Sequence, residues 1–460
     1  MSLQGEIEPS GEAGADVSRQ YLERKYDNVY ERIDDLIARY GTTEQSPIPE
    51  SLTYEVDLLL RLLFILCRVG FPFYSTEVLL SRLAKHLDLE LYLSAAPRLI
   101  NITVLGEKPR KSVATYYALP LPRNLPGPFH LDQIEDYGKL TMDASEGRLS
   151  PEETYNELYR LLSMRRYRPE WVYILFGGIS GLSLAGLFPD ARWLDLGFAF
   201  IFGAVTQILL VLGLFDQLWT RPLRLYEFTI PFIVSFLVGI FSIIVPITVE
   251  NVIIASIAWI LPGISLTLAA IEVSTLHTVL GAARFVFSIL VVLLLAFGLT
   301  AGLLLVQLPA ARRPDYGMGP GIPVLFAFIF VPLTSLSFAI LLNARYIHWP
   351  AFVVTSAAAF TTEILFRRWA EEFSVALAAF IVGSLGILYS YYVRVPSILL
   401  ITAGILMLVP GSLAVLGFVQ TLEGDITDGI EIGLQVLIIA VQIAVAILAS
   451  NIIFRNSKSI

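Results

Sequence analysis

The sequence predicts a mainly α-helical, polytopic membrane protein of ten transmembrane helices in two inverted five-helix repeats, preceded by a small α+β cytosolic domain. Three observations support this fold class. The 460 residues are 55% hydrophobic and only 16% charged, with a mean hydropathy of +0.69. From about Pro169 onward, apolar blocks of roughly 20 residues follow one another, and a helix of that length crosses a bilayer. Within these blocks a Pro-Gly pair occurs twice, once in each half.

The apolar blocks set the domain boundaries. We place ten spans near 171–188, 194–215, 227–247, 252–270, 281–307, 322–342, 347–366, 373–392, 397–419 and 430–454. The sequence before them is hydrophilic. The expected organisation is a polar segment at 1–50, a cytosolic α+β domain at 51–168, a first membrane repeat at 169–310 and a second at 320–456.

The hydrophilic part carries signals for helices and strands. Apolar spacing predicts helices over 52–70 and 75–87, and a charged stretch at 21–40 predicts a solvated one. Segments rich in β-branched and aromatic residues predict strands at 89–95, 98–105 and 112–119. Ser150 followed by Pro151 and Glu153 is a strong helix start. No nucleophile–base pair or phosphate loop is visible, which favours a regulatory or structural domain over a catalytic one.

Composition narrows the function classes. The acidic N-terminus lacks the features of a secretory signal peptide, so the first domain is expected in the cytosol. Cys67 is the only cysteine, the four histidines are scattered, and the net charge is −8. An intrachain disulfide is thereby excluded, and no metal, cofactor or nucleic-acid partner is expected. Arg and Lys in the short connections favour cytosolic N- and C-termini. Neither the membrane, plasma or vacuolar, nor a homo-oligomeric state follows from the sequence.

The two Pro-Gly pairs belong to a repeat with an offset of 148 residues. At this offset Pro262 and Gly263 align with Pro410 and Gly411, and Gly281 aligns with Gly429. Each copy contains five spans, and an odd number inverts the second copy in the membrane. Inverted repeats with broken helices at the midplane are an architecture of secondary transporters.

The breaks offer the chemistry of a binding site. A proline cannot donate the helical hydrogen bond, which should leave the carbonyls of Ala258 and Leu406 unpaired and suited to an ammonium group. The amides at each helix restart suit a carboxylate. The alternative is that Pro and Gly serve only helix packing, since both are common in membrane helices. The candidate substrate-binding residues are Pro262, Gly263, Ser265, Thr267, Pro410, Gly411 and Ser412.

Charged residues near the spans are candidates for ion coupling. The candidates are Glu272, His277, Arg284 and Glu363. Glu272 has no basic residue four positions away, and two interpretations stay open: a proton-coupling group or a solvated acid at a helix end. Glu363 has Arg367 one turn on, which favours an ordinary salt bridge.

Two segments resemble a known family. "LPGISLTLAAIEVSTLHTVLGAARF" at 261–285 and "PSILLITAGILMLVPGSLAVLG" at 396–417 look like the two signatures of the threonine/serine exporter family. The resemblance covers about residues 55–455 and is strongest to the fungal branch, which includes pheromone-regulated membrane proteins. It implies ten spans in two halves and proton-driven export of small hydroxylated amino acids, without fixing residue roles. The motif positions carried over are Pro262, Gly263, Thr267, Glu272, Gly281 and Arg284, then Pro396, Pro410, Gly411 and Ser412.

The leading hypothesis is a secondary transporter in the lipid bilayer that exports small neutral amino acids such as threonine or serine, coupled to protons. The alternative is a membrane-anchored regulatory or scaffold protein that acts through its cytosolic domain. An enzyme is not expected, because no catalytic constellation is visible. The paired breaks distinguish the first two hypotheses, since a scaffold does not need them.

Overall fold

The computed structural model describes residues 53–96, 99–106, 114–120, 130–164, 168–188, 191–211, 226–307, 321–408, 411–423 and 425–454. The charged segment at 21–40 and one of the two break prolines, Pro410, lie outside these residues. The described chain is mainly helical. It consists of an N-terminal region, residues 53–163, which we call the head, and a long series of apolar helices from residue 170 to residue 453.

The described residues of the head form four helices and one sheet, and the sequence predicts the sheet and three of the helices. The helices are α1 (Thr53–Arg68), α2 (Phe73–His86), α3 (Leu131–Ser145) and α4 (Pro151–Ser163). The strands β1 (Leu89–Ala96), β2 (Leu99–Gly106) and β3 (Ala114–Pro120) form an antiparallel sheet in the order β1-β2-β3. In β2 the alternate residues Ile100, Ile102 and Val104 are buried, because successive side chains of a strand point to opposite faces.

Local signals set the helix ends in the head. After α1 the chain turns at Gly70, whose φ of 83° lies in the left-handed region and suits glycine. At the start of α4, the Ser150 hydroxyl accepts from the amide of Glu153, and the Glu153 carboxylate accepts from the amide of Ser150. This reciprocal capping confirms the predicted helix start. Helix α3 was not predicted, and it makes most of the polar contacts described below.

The described residues of the apolar region form twelve helices. They are α5 (Glu170–Ala185), α6 (Trp193–Val211), α7 (Tyr226–Ser242), α8 (Val249–Ile257), α9 (Gly263–Ser274), α10 (Thr278–Gln307), α11 (Ala327–Leu341), α12 (Trp349–Arg367), α13 (Glu371–Val393), α14 (Ile398–Leu408), α15 (Gly411–Glu423) and α16 (Ile426–Ile453).

Several of these helices are suited to crossing a membrane. Six helical stretches are long and apolar enough by length and composition, and one of them, Ile398–Leu422, contains both α14 and α15. A seventh crossing results if α8 and α9, which are bent by 55° at their break, form one span. Helices α5, α7 and α11 are apolar but shorter. The polytopic membrane class is confirmed, whereas the count of ten spans stays a prediction.

The helices pack in matching sets. In the first half α5 packs on α6, α6 on α8, α7 on α8 and α10, and α9 on α10. The second half contains the corresponding pairs, α11 with α12, α12 with α14, α13 with α14 and α16, and α15 with α16. Contacts also cross between the halves: α5 packs on α11, α9 packs on α16, and α15 packs on α10. The helix after each break therefore lies against the last helix of the other half.

Glycines allow the closest of these contacts. A Cβ atom at Gly181 of α5 would lie 2.4 Å from the carbonyl oxygen of Ala199 in α6, and one at Gly203 would lie 2.6 Å from the carbonyl oxygen of Gly177. These distances are too short for any side chain, so the α5–α6 pair packs backbone against backbone.

Candidate functional site

The first break interrupts an apolar helix inside the first half. Helix α8 ends at Ile257, a 3₁₀ turn covers Ala258–Ile260, and α9 begins at Gly263 with Pro262 before it. The first backbone amide of α9 with a carbonyl acceptor is that of Leu266, which donates to Pro262 at 3.0 Å. The amides of Ile264 and Ser265 have no acceptor within the described residues. The helix start thus presents free donors, as the sequence predicts.

The prediction for the carbonyl before the break is wrong. The carbonyl of Ala258 accepts a hydrogen bond from the amide of Leu261 at 3.3 Å. The 3₁₀ turn closes this bond, because its i to i+3 geometry reaches a donor ahead of the proline. The same prediction for Leu406 depends on Pro410, which lies outside the described residues. The Ala258 carbonyl, which the sequence suggested as the partner of an ammonium group, therefore already accepts a hydrogen bond within the protein.

The two breaks meet in space. Gly411, the first residue of α15, is buried, and a Cβ atom there would lie 3.2 Å from the Leu261 Cβ and 3.5 Å from the Gly263 nitrogen and Cα. The starts of α9 and α15 therefore lie side by side, although 148 residues separate them in sequence. Each helix start carries roughly half a positive charge from its backbone dipoles. Two such partial charges converge at one point.

The two segments that contain the breaks carry no ionisable side chain close in sequence to the helix starts. Residues 251–271 and 395–422 contain no Asp, Glu, Lys, Arg or His. Thr267, one turn into α9, is fully buried, and its hydroxyl oxygen has no hydrogen-bond partner in the described part of the chain. Ser265 and Ser412 are partly exposed. The site offers backbone donors and hydroxyl groups, with no charged side chain.

The charged candidates lie at the far end of α9. Glu272 is fully buried, and both of its carboxylate oxygens accept hydrogen bonds of 2.8 Å from Nε and Nη2 of Arg284. The interpretation of Glu272 as a solvated helix-end acid is wrong. Gly281 makes the pairing feasible, because a Cβ there would lie 2.9 Å from the Ala269 carbonyl oxygen. The close approach of α10 to α9 brings Arg284, one turn after Gly281, to the carboxylate.

The head covers this ion pair. His277, in the connection from α9 to α10, lies 2.8 Å from the Glu77 carboxylate of α2 through Nε2, and its ring stands edge-on to Phe73 at 5.1 Å. Burial raises the pKa of the Cys67 thiol in α1 to about 12, while the charge of Arg284 lowers it and that of Glu272 raises it. Cys67 is thus close enough to the ion pair to be influenced by its charges. No local pattern in the sequence predicts this docking.

A second contact joins the head to the other half. Arg345, between α11 and α12, donates to Glu135 at 3.0 Å and also pairs with Asp136, both in α3. Nε2 of the buried His348 lies 3.1 Å from Glu135, outside hydrogen-bond geometry, and its Nδ1 is 2.7 Å from the Tyr389 hydroxyl. Together with the His277 contact, these interactions fix the head to both halves at one end of the bundle.

Glu363 stands apart from the other candidates. Its carboxylate pairs with Arg367 one turn further along α12, the salt bridge that the sequence favours. The described structure therefore brings together two groups of candidates, the helix starts and the Glu272–Arg284–His277 cluster at the opposite end of α9. It leaves Glu363 outside both.

Two family models match the chain. One, described as "Putative threonine/serine exporter", matches residues 57–306, and a second, "Threonine/Serine exporter, ThrE", matches residues 327–453. The first model covers the head and the first half of the helices, and the second model covers the second half. Their boundary falls between α10 and α11.

Several fungal proteins are similar to the chain. "Pheromone-regulated membrane protein 10" of Kluyveromyces lactis is 25% identical over 66% of this chain and 34% of the relative. The protein of the same name from Candida glabrata is 24% identical over 68% of this chain and 41% of the relative. An uncharacterized protein of Schizosaccharomyces pombe is 25% identical over 66% and 41%.

The chain thus spans between a third and about two fifths of these relatives. No solved structure matches it. Since the first family model alone covers more than half of the 460 residues, the chain belongs to the threonine/serine exporter family.

Proposed function

We propose that the chain is a secondary transporter that exports small neutral amino acids, such as threonine or serine, in exchange for protons. The observation that carries this proposal is the meeting of the two breaks, with Gly411 against Leu261 and Gly263. A scaffold protein gains nothing from two interrupted helices in contact, whereas a transporter needs exposed backbone groups inside the bundle.

The substrate carboxylate is proposed to bind between the two helix starts. Free amides there and the absence of acidic side chains from both broken segments favour an anionic group. The Thr267 hydroxyl, buried without a partner in the described structure, is proposed to bind the polar side chain or the ammonium of the substrate. Pro262, Ser265, Pro410 and Ser412 complete the proposed site. The carbonyl of Ala258 is not proposed as the ammonium partner, because it already accepts a hydrogen bond from the amide of Leu261.

The architecture proposed for this function is two inverted repeats of five spans, at 169–310 and 320–456, with the domain at 51–168 and both termini in the cytosol. The matching helix pairs and the crossed contacts of α9 with α16 and α15 with α10 support it. Asn101-Ile102-Thr103 is a glycosylation sequon on an exposed position of β2. Expression in a eukaryotic host should leave Asn101 without a glycan, and a glycan there would reverse the proposed orientation.

Proton coupling is proposed to act through the buried Glu272–Arg284 pair, with His277 beside it. A proton can bind Glu272 only when the two hydrogen bonds from Arg284 open, so coupling requires the pair to alternate between a closed and an open state. Glu363 has its own partner outside this cluster and is proposed to serve only as a salt bridge.

The decisive experiment is transport by the purified chain in liposomes, with labelled threonine and serine and an imposed pH gradient. Pro262→Ala and Pro410→Ala should each reduce substrate affinity about tenfold, the equivalent of one charge-assisted hydrogen bond. Each variant should keep or raise its thermal stability, because alanine restores the helical amide. Wild-type affinity in both variants would remove the binding site from the breaks, and no transport of any labelled amino acid would refute the proposed substrate class.

A further inference from the structure

A cavity of about 320 Å³ lies between the head and the membrane helices, away from the breaks and from Glu272. It is lined by Lys139 and Asp143 of α3, Arg148 and Leu149 of the following turn, and Val393 and Arg394 at the end of α13. This volume holds about ten water molecules at ~30 Å³ each. The cavity is large enough for a charged group of several heavy atoms, and the head forms one wall.

The lining is electropositive. Three of the six residues are basic and one is acidic. Arg148 is already paired, with Asp143 at 3.2 Å and with Glu146. Lys139 and Arg394, by contrast, have no acidic partner within the described ranges, and both are exposed. Two basic groups therefore line one cavity from the head and from α13, while the one acid in the lining, Asp143, is paired with Arg148.

The cavity lies beside the end of α13, whose side chains have the character of a membrane–water interface. Helix α13 ends at Val393, and the two residues before it, Tyr391 and Tyr392, are 49% and 74% exposed. Tyrosine is enriched at membrane–water interfaces because its ring is apolar and its hydroxyl is polar. One turn back along α13, the apolar Leu388 is 50% exposed. A lipid beside α13 would place its headgroup near Arg394.

We propose that this cavity binds the phosphorylated headgroup of an anionic membrane lipid, with Lys139 and Arg394 contacting the phosphate from the two walls. Basic pockets at the cytosolic ends of membrane helices favour such headgroups. The lipid would join the head to the bilayer at α13, in addition to the protein contacts at His277 and Arg345. This site is independent of the proposed transport function.

The test uses the full chain in detergent with dioctanoyl phosphatidylinositol 4-phosphate as the probe. Lys139→Gln and Arg394→Asn should each weaken binding about fivefold, the contribution of one basic residue near a membrane surface. Asparagine tolerates the left-handed backbone of Arg394, whose φ is 58°. Arg368→Asn is the matched control, since it removes an exposed arginine before the opposite end of α13, about 35 Å away at 1.5 Å per residue.

Three results would overturn the proposal. The first is equal binding by Arg368→Asn, Arg394→Asn and Lys139→Gln. The second is equally tight binding of dioctanoyl phosphatidylcholine. The third is binding of inositol 1,4-bisphosphate or inorganic phosphate as tight as that of the lipid, which would identify a site for a free anion. Lys139 lies on the exposed face of α3, so Lys139→Gln decides the outcome if Arg394→Asn lowers the thermal stability of the ligand-free chain.

Discussion

The two broken helices of the bundle begin at equivalent positions of the repeat but differ in their charged side chains. Helices α9 and α15 begin 148 residues apart, at Gly263 and Gly411, and the helices that follow begin 148 residues apart as well. At the positions equivalent to Glu272 and Arg284, the second half has Gln420 and Ile432. The first half thus has a buried ion pair at these two positions, and the second half has two uncharged residues there.

This difference implies different roles for the two halves in the proposed transport. Both contribute a helix start to the point where the breaks meet, so the backbone donors are duplicated. Of the two broken helices, only α9 carries one member of a buried ion pair, Glu272 with Arg284, and that pair lies at the end of the bundle covered by the head. If the transporter is coupled to protons, coupling belongs to one half alone, while substrate binding belongs to both.

The largest expected effect comes from replacing Glu272 with glutamine, the residue that the second half has at the equivalent position, Gln420. Glu272→Gln leaves Arg284 without its counter-charge, and breaking a buried ion pair from one side costs about 3–5 kcal/mol of stability. We expect loss of gradient-driven transport together with a lower thermal stability. Proteoliposome uptake and thermal unfolding in detergent measure the two effects.

A second variant separates coupling from structure. Glu272→Gln combined with Arg284→Gln removes both charges, so stability should recover while gradient-driven transport stays lost. Adding Gln420→Glu should not restore coupling, because Ile432 offers no basic partner. Restored coupling in that variant would show that the two halves are interchangeable, and full transport by the double variant would remove Glu272 from the mechanism.

The next effect tests whether the halves share the binding point. Gly411→Ala places a methyl group 3.2 Å from Leu261 and should push the two helix starts apart by a few tenths of an ångström, at a cost of about 1 kcal/mol. We expect a lower affinity for substrate. Gly433→Ala is the control in the same half, because no atom lies within 4 Å of its Cβ. It should leave affinity unchanged and raise stability by up to ~1 kcal/mol. Equal affinities in the two variants would contradict a shared site.

A smaller effect tests whether the head is docked on the first half, which carries the Glu272–Arg284 pair. Cys67 is the only cysteine, and its raised pKa of about 12 should slow maleimide labelling at neutral pH by about three orders of magnitude relative to a free thiol. The rate should still rise above pH 9, where a free thiol levels off. Gly138→Ala should speed labelling, because its Cβ would lie 2.4 Å from Pro396 and force the head away.

The control for this measurement is an exposed thiol, Asn101→Cys with Cys67→Ser, which should label rapidly with or without Gly138→Ala. Slow labelling of Cys67 in the Gly138→Ala variant would show that the head stays docked despite the clash. Rapid labelling of Cys67 in the unmodified chain at neutral pH would contradict the raised pKa of its thiol.

The smallest effect is expected at Glu363. Its partner Arg367 is 62% exposed, and exposed pairs contribute about 0.5 kcal/mol. Glu363→Gln should leave gradient-driven transport intact and change the unfolding temperature little. A transport loss comparable to that of Glu272→Gln would place a second coupling group in the other half and remove the asymmetry between them.

Much of the fold follows from the sequence because hydrophobic length and helix breakers are local signals. The apolar blocks, the strands of the head and the capped start at Ser150 are all found close to their predicted bounds. The 3₁₀ turn at Ala258 was not predictable, because whether a carbonyl finds another donor depends on the conformation before the proline. Helix α3 was missed because its sequence is polar and lacks a capping signal.

The ion pair and the head contacts depend on distances that a sequence does not encode. Glu272 and Arg284 are twelve residues apart, too far for a pair on one helix, and they meet only because α9 and α10 fold back at a close angle around Gly281. Glu77 and His277 are 200 residues apart. Their pairing requires the head to be docked, and neither residue lies in a motif that points to the other.

The crossed packing of α9 on α16 and of α15 on α10 has a consequence for biosynthesis. The ribosome completes the first half long before it makes α16, which begins at residue 426. Until then, the surface of α9 that packs on α16 lacks this partner, and the packing of the nascent first half is incomplete. A premature stop codon before residue 426 would therefore remove one helix from the second half and also leave the first half unable to mature. Quality control should degrade such a fragment whole.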